Sequence, residues 1–119
     1  MTHQSERIYD ELLVLRCQDG DRDAMATLVK RWQQPLERFA TFVARDPDLG
    51  REAVQEAWLS IIRGLARLED PARYRQWMFR IVHNKCMDLL RVQRRAEGDR
   101  AAEPVGRAHF DHVENVDQV

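Results

Sequence analysis

Apolar positions recur along most of the chain at the i, i+3, i+4 spacing of α-helices, and no segment keeps the two-residue alternation of a strand. The first helix is predicted over 6–17, with Ser5 as N-cap and Ile8, Leu12 and Leu15 as its apolar stripe. Gly20 ends it, because glycine enters the left-handed region without steric cost. Asp21 is the candidate cap of a second helix reaching Arg45, with Asp23 near the positive end of its dipole. Met25, Leu28, Val29, Trp32, Leu36, Phe39, Ala40 and Val43 share one face of that helix. Pro35 lacks an N–H and disfavours helical backbone at Gln34, which predicts a kink or a short break.

Asp46-Pro47-Asp48 is a turn and start signal for a third helix over 48–68. Its core stripe is Val54, Ala57, Trp58, Ile61, Ile62, Leu65 and Leu68. Glu69-Asp70-Pro71 breaks it, and a fourth helix follows over 72–95, with a wide apolar side of Met78, Phe79, Ile81, Val82, Cys86, Leu89 and Leu90. After Arg95 the periodicity collapses, so 96–119 reads as a linker or disordered tail. The expected architecture is all-α: a compact bundle of about four main helices over 1–95, followed by the tail.

Composition supports one domain. The chain has 119 residues, 44 % of them hydrophobic and 33 % charged. No apolar run nears the length of a membrane span, and the N-terminus lacks the apolar centre of a signal peptide. Two cysteines, Cys17 and Cys86, are too few for a disulfide framework. A reduced, cytoplasmic protein with no membrane partner is expected.

The net charge of −1 conceals a segregation. Residues 1–45 balance, 46–70 carry −3, 71–95 carry +6 and 96–119 carry −4. The basic block is a candidate polyanion surface or simply a solvated face.

Two helices carry a second face that a core does not require. On the third, Glu52, Glu56, Leu59 and Arg63 lie opposite the apolar stripe, with Gln55 on the flank. A solvated face with one exposed leucine and a docking face for a partner helix both fit. On the fourth, Arg73, Arg80, Asn84 and Arg91 align within about 40° on the helical wheel, with Trp77 beside them. Arginines on one face can grip phosphates, and an aromatic ring with an amide can stack on and hydrogen-bond an unpaired base.

Sharper-looking constellations fail on spacing. Asp19, Asp21 and Asp23 resemble the start of a calcium loop, but Ala24 and Lys30 stand where the loop needs Gly and Glu. His83 with Cys86, and His109 with His112, lack a second pair to complete a zinc site. There is no phosphate-cradling glycine loop and no nucleophile elbow. Neither an enzyme, a cofactor nor a metal is expected.

Three runs together resemble region 2 of bacterial sigma factors, most closely the extracytoplasmic-function group. They are Glu52-Ala53-Val54-Gln55-Glu56-Ala57-Trp58, then Arg75-Gln76-Trp77-Met78-Phe79-Arg80-Ile81-Val82-His83-Asn84, then Asp88-Leu89-Leu90-Arg91. The similarity covers roughly 8–95 in matching order and spacing. It implies a non-enzymatic specificity subunit that docks on RNA polymerase core and recognises and opens the promoter −10 element. Glu52, Gln55 and Glu56 are the matching positions for the β′ clamp helices, and Leu59 and Arg63 continue that face. The implied specificity loop is 68–75, which includes Arg73, Tyr74 and Arg75. Asn84 matches the contact near a flipped base, while Trp77, Arg80, Lys85 and Arg91 support the single-stranded, non-template strand. An anti-sigma factor is a further candidate partner.

The chain departs from the family in three places. Trp77-Met78 stands where housekeeping members carry two tryptophans, as it does in the extracytoplasmic group. His83 stands where alanine is common. Nothing after Arg95 has the periodicity of region 4, and the acidic tail resembles the interdomain linker. The rival reading is a helical protein–protein adaptor without nucleic-acid binding.

Overall fold

A computed structural model describes residues 3–98, and these residues are helical throughout apart from short connections. The order is α1 (His3–Gln18), α2 (Arg22–Ala44), α3 (Pro47–Leu65), a single 3₁₀ turn (Pro71–Arg73) and α4 (Tyr74–Ala96). The all-α, four-helix expectation holds. The predicted tail from 99 onward lies outside the described residues.

Caps explain most of the boundaries. Asp21 accepts from the Ala24 N–H at 3.1 Å and starts α2. Asp46 accepts from the N–H groups of Asp48 and Leu49, and Pro47 fills the first position of α3, where a missing N–H costs nothing. Asp70 caps the 3₁₀ turn through the Ala72 N–H at 3.1 Å. Ser5 is not a cap, because α1 already begins at His3. α2 runs through Pro35 without the expected break. The ring removes one backbone bond, but Trp32, Leu36 and Ala40 on either side are buried, and their packing outweighs the local penalty.

α2 and α3 form the main packed pair, and α4 lies across both. Val14, Leu28, Leu36, Val54, Ile61, Leu65, Met78 and Val82 are fully buried at the centre. Gly50 marks the closest approach of α3 to α2: a Cβ there would stand 2.8 Å from the Thr41 backbone nitrogen. Edge-to-face rings extend the core, with Phe79 against Phe39 at 4.9 Å and Trp32 against Tyr74 at 5.8 Å. The Cys86 thiol is buried and donates to the Ala40 carbonyl at 3.7 Å, and burial pushes its pKa up to about 11.

Two expected stripes are corrected. In α1 the inward side is Asp10, Leu13 and Val14, while Ile8, Leu12 and Leu15 face solvent. The helix is rotated about half a turn from the predicted orientation because Asp10 finds partners inside. In α3, Ile62 is exposed, and the helix ends at Leu65. Leu68 therefore lies in the following loop, half-buried against the core.

Candidate nucleic-acid interface

The loop between α3 and α4, with the first turns of α4, forms one concave site. α3 stops at Leu65, and Gln18 of α1 donates to the carbonyl of Leu65 and to that of Leu68 in the loop, at 3.0 and 2.8 Å. The chain then turns through Glu69 and Asp70 into the 3₁₀ turn, and Asp70 and Pro71 set its geometry. α4 departs at Tyr74. Leu68, Glu69, Asp70, Arg73, Gln76, Trp77 and Arg80 enclose a cavity of ≈ 260 Å³.

The cavity lining combines two apolar side chains, Leu68 and Trp77, with two exposed guanidiniums, Arg73 and Arg80, and two exposed carboxylates, Glu69 and Asp70. The apolar pair offers contact area to a flat aromatic group, and the two arginines offer positive charge to a neighbouring phosphate, beside the Glu69 and Asp70 carboxylates that line the same cavity. Gln76 completes the wall with an amide that can donate and accept. Sequence reasoning passed over Gln76, although it stands one helical turn before Arg80, on the same face.

The residues singled out from the sequence fall into two groups. Arg73, Arg75 and Arg80 are exposed, and Arg75 lies over the Trp32 ring at 5.1 Å. Lys85 and Arg91 are half-buried, and Arg91 pairs with Asp88 one turn earlier. Tyr74, Trp77 and Asn84 lie below the surface, at 1 %, 7 % and 7 % exposure. The aligned wheel of Arg73, Asn84 and Arg91 is therefore no uniform outer face: Arg73 belongs to the 3₁₀ turn, and Asn84 faces the bundle.

Tyr74 is held from within. Its hydroxyl donates to Asp10 Oδ2 at 3.1 Å, and Arg31 Nε donates to Asp10 Oδ1 at 2.6 Å. The carboxylate thus joins α1, α2 and the start of α4. Burial, the Asp10 charge and this hydrogen bond together raise the Tyr74 pKa far above the ordinary phenol range. The hydrogen bond to Asp10 also raises the Arg31 pKa. Nothing in the spacing of the sequence signals this pairing, because its partners are 64 residues apart.

On the other side of the loop, α3 presents a separate face. Glu52, Gln55, Glu56, Leu59 and Arg63 are all exposed, as the sequence predicts, and Ile62 joins them. Leu59 and Ile62, at 57 % and 44 % exposure, give the face an apolar centre with carboxylates toward its N-terminal end. Among the described residues no group of His, Cys, Asp or Glu is placed to hold a metal, and no helix is long and apolar enough to cross a membrane.

Comparison with known proteins places the sequence among sigma factors. The family model for sigma-70 region 2 matches residues 28–96, which contain the whole loop and both faces. The chain is 37 % identical over 86 residues to the ECF RNA polymerase sigma factor SigM of Mycobacterium tuberculosis, covering 72 % of this chain and 43 % of that protein. It is 32 % identical over 82 residues to the RNA polymerase sigma factor CarQ of Myxococcus xanthus, covering 69 % and 47 %. It is 29 % identical over 107 residues to the ECF RNA polymerase sigma-E factor of Escherichia coli, covering 90 % and 56 %. The chain spans about half the length of these curated relatives. No solved structure matches it. With the three motifs, the four-helix fold and the match over 28–96 in agreement, the chain belongs to the sigma-70 region 2 family, within the extracytoplasmic-function sigma factors.

Proposed function

We propose that this chain docks on RNA polymerase core through α3 and recognises and opens the promoter −10 element, as single-stranded DNA, through the loop and α4. The observation that carries the reading is the cavity at the loop of 66–73, where Trp77, Arg73 and Arg80 share the lining with Glu69 and Asp70. An unstacked base enters the cavity, and its flanking phosphates meet the guanidiniums. Arg75, Lys85 and Arg91 add positive charge on other sides of α4 and farther along it, with Arg75 over the Trp32 ring and Arg91 paired with Asp88. Tyr74 acts from beneath, by fixing where the loop ends, and Asn84 supports the wall one turn beyond Arg80.

Glu52, Gln55, Glu56, Leu59, Ile62 and Arg63 meet the clamp helices of the β′ subunit, with Leu59 and Ile62 as the apolar anchor and the charged groups as the rim. The role is one of recognition, without catalysis, in the compartment where transcription occurs. Residues 1–95 form the working unit and 96–119 its linker. An anti-sigma factor is a further partner, to which no residue of this chain is assigned.

The test is binding of a fluorescent −10-like single strand to the complex of the chain with RNA polymerase core. Arg80→Ala weakens binding to every strand alike and lowers the salt slope by about one phosphate contact. A protein–protein adaptor would bind the polymerase and leave DNA affinity unmoved by the substitution.

A further inference from the structure

Both ends of the 66–73 loop are held by one helix that does not belong to it. At the entrance, the Gln18 amide gives its donors to the carbonyls of Leu65 and Leu68. At the exit, Asp10 accepts from the Tyr74 hydroxyl. Gln18 and Asp10 lie two turns apart on α1, about 12 Å along its axis, so a single rigid element spans the loop. The carboxylate is itself aimed: Arg31 occupies Oδ1, which leaves Oδ2 toward Tyr74. The Arg31 guanidinium in turn lies 4.7 Å from the centre of the Tyr9 ring, again on α1.

Between these anchors the loop has few bonds of its own. The Arg67 and Leu68 N–H groups reach Gly64 and Leu65, and the Ala72 and Arg73 N–H groups both reach Asp70. These bonds shape two short turns, one at each end, with the exposed Glu69 between them. α1 bonds to both ends of the loop from outside it, and Leu68 and Tyr74 at those ends also pack against the core. Leu68 and Arg73, one from each end of the loop, both line the cavity at Trp77.

We propose that α1 sets the base preference of the loop by fixing both of its ends, with Gln18 and Asp10 as positioning residues that touch no DNA. This rests on the promoter reading given above. Substituting Gln18 leaves the walls of the cavity chemically intact and alters only their spacing. Discrimination among bases is lost while phosphate affinity remains.

The experiment uses the whole chain and two readouts. Amide hydrogen exchange of Arg67, Leu68, Ala72 and Arg73 is followed in the parent, Gln18→Ala, Gln18→Lys and Asp10→Asn. In parallel, each protein with RNA polymerase core is titrated with four single strands differing at one nucleotide. Gln18→Ala speeds exchange at Arg67 and Leu68 on the order of tenfold, the effect of losing two neutral hydrogen bonds. Amides at the centres of α2 and α3 stay as slow as in the parent, and the preference among the four strands shrinks several-fold.

Gln18→Lys, which keeps a donor, restores much of the preference; its added charge raises all four affinities alike and leaves their ratio unaffected. Asp10→Asn speeds exchange at Ala72 and Arg73 and lowers the preference from the other end. Unchanged exchange in both Gln18→Ala and Asp10→Asn overturns the proposal. So does faster exchange with an intact preference, which makes the brace structural only. A parent that binds all four strands equally sinks the promoter reading and, with it, a role for α1 in specificity; the exchange rates then still report whether α1 holds the loop.

Discussion

Asp10 and Tyr74 show how one pair of side chains can decide an orientation and fix a site. A carboxylate at 3 % exposure is tolerable only because it is paired and hydrogen-bonded, here by Arg31 and Tyr74. Tyr74→Phe removes the hydroxyl and leaves Asp10 Oδ2 without that donor, which lowers stability by about 1–3 kcal/mol in urea unfolding near neutral pH. The pH dependence has a definite sign. The folded pKa is raised above the unfolded one, so the protonated phenol stabilises the fold. That contribution is complete below the ordinary tyrosine value of about 10 and is lost as pH rises toward the folded value. The stability difference between parent and Tyr74→Phe is therefore flat up to pH of about 10 and narrows above it. A difference that stays constant well into the alkaline range would mean that the hydroxyl is not held as described.

At the scale of elements, the helices divide by how clearly their two faces differ. α2 and α3 have strong apolar stripes against charged backs, so most of the buried sets around Trp32 and Trp58 were legible from periodicity, Ile62 and Leu68 excepted. α1 was not, because Leu12, Leu13, Val14 and Leu15 put apolar side chains on both of its sides, and the deciding residue is a buried aspartate. The exposed arginines and the α3 face were legible as charge on helix surfaces. The burial of Tyr74 was not, since position within a loop says nothing of a partner 64 residues away.

Two element-level predictions follow from α3. Gly50→Ala destabilises the chain by about 1–3 kcal/mol, although alanine is the better helix former by about 1 kcal/mol, because the added methyl meets the Thr41 backbone. Thermal unfolding should show a fall of several degrees, whereas an unchanged or higher midpoint would mean that the helices are not in such close contact. Glu56→Lys reverses one exposed charge on the opposite face. Its melting temperature stays near the parent's, while polymerase affinity falls, on the order of tenfold for one rim charge among several contacts. Equal polymerase affinity in a direct titration would remove α3 as the docking face.

Over the whole molecule, a chain with a formal net charge of −1 separates its chemistry by surface. Carboxylates with an apolar centre lie on α3, two guanidiniums line a cavity at the start of α4 beside Glu69 and Asp70, and the loop of 66–73 joins the two. In the proposed function one surface docks while the other reads, and the rigid packing of α2, α3 and α4 fixes the reading surface relative to the polymerase. The most direct test is the titration of the chain with RNA polymerase core against four −10-like single strands that differ at one nucleotide, with a matched duplex as a fifth ligand. One base should be preferred by about 1–3 kcal/mol, roughly tenfold or more in affinity, with the duplex bound more weakly than the preferred strand. Equal affinity for all four strands, or tighter binding to the duplex, would contradict single-strand reading by the loop and α4.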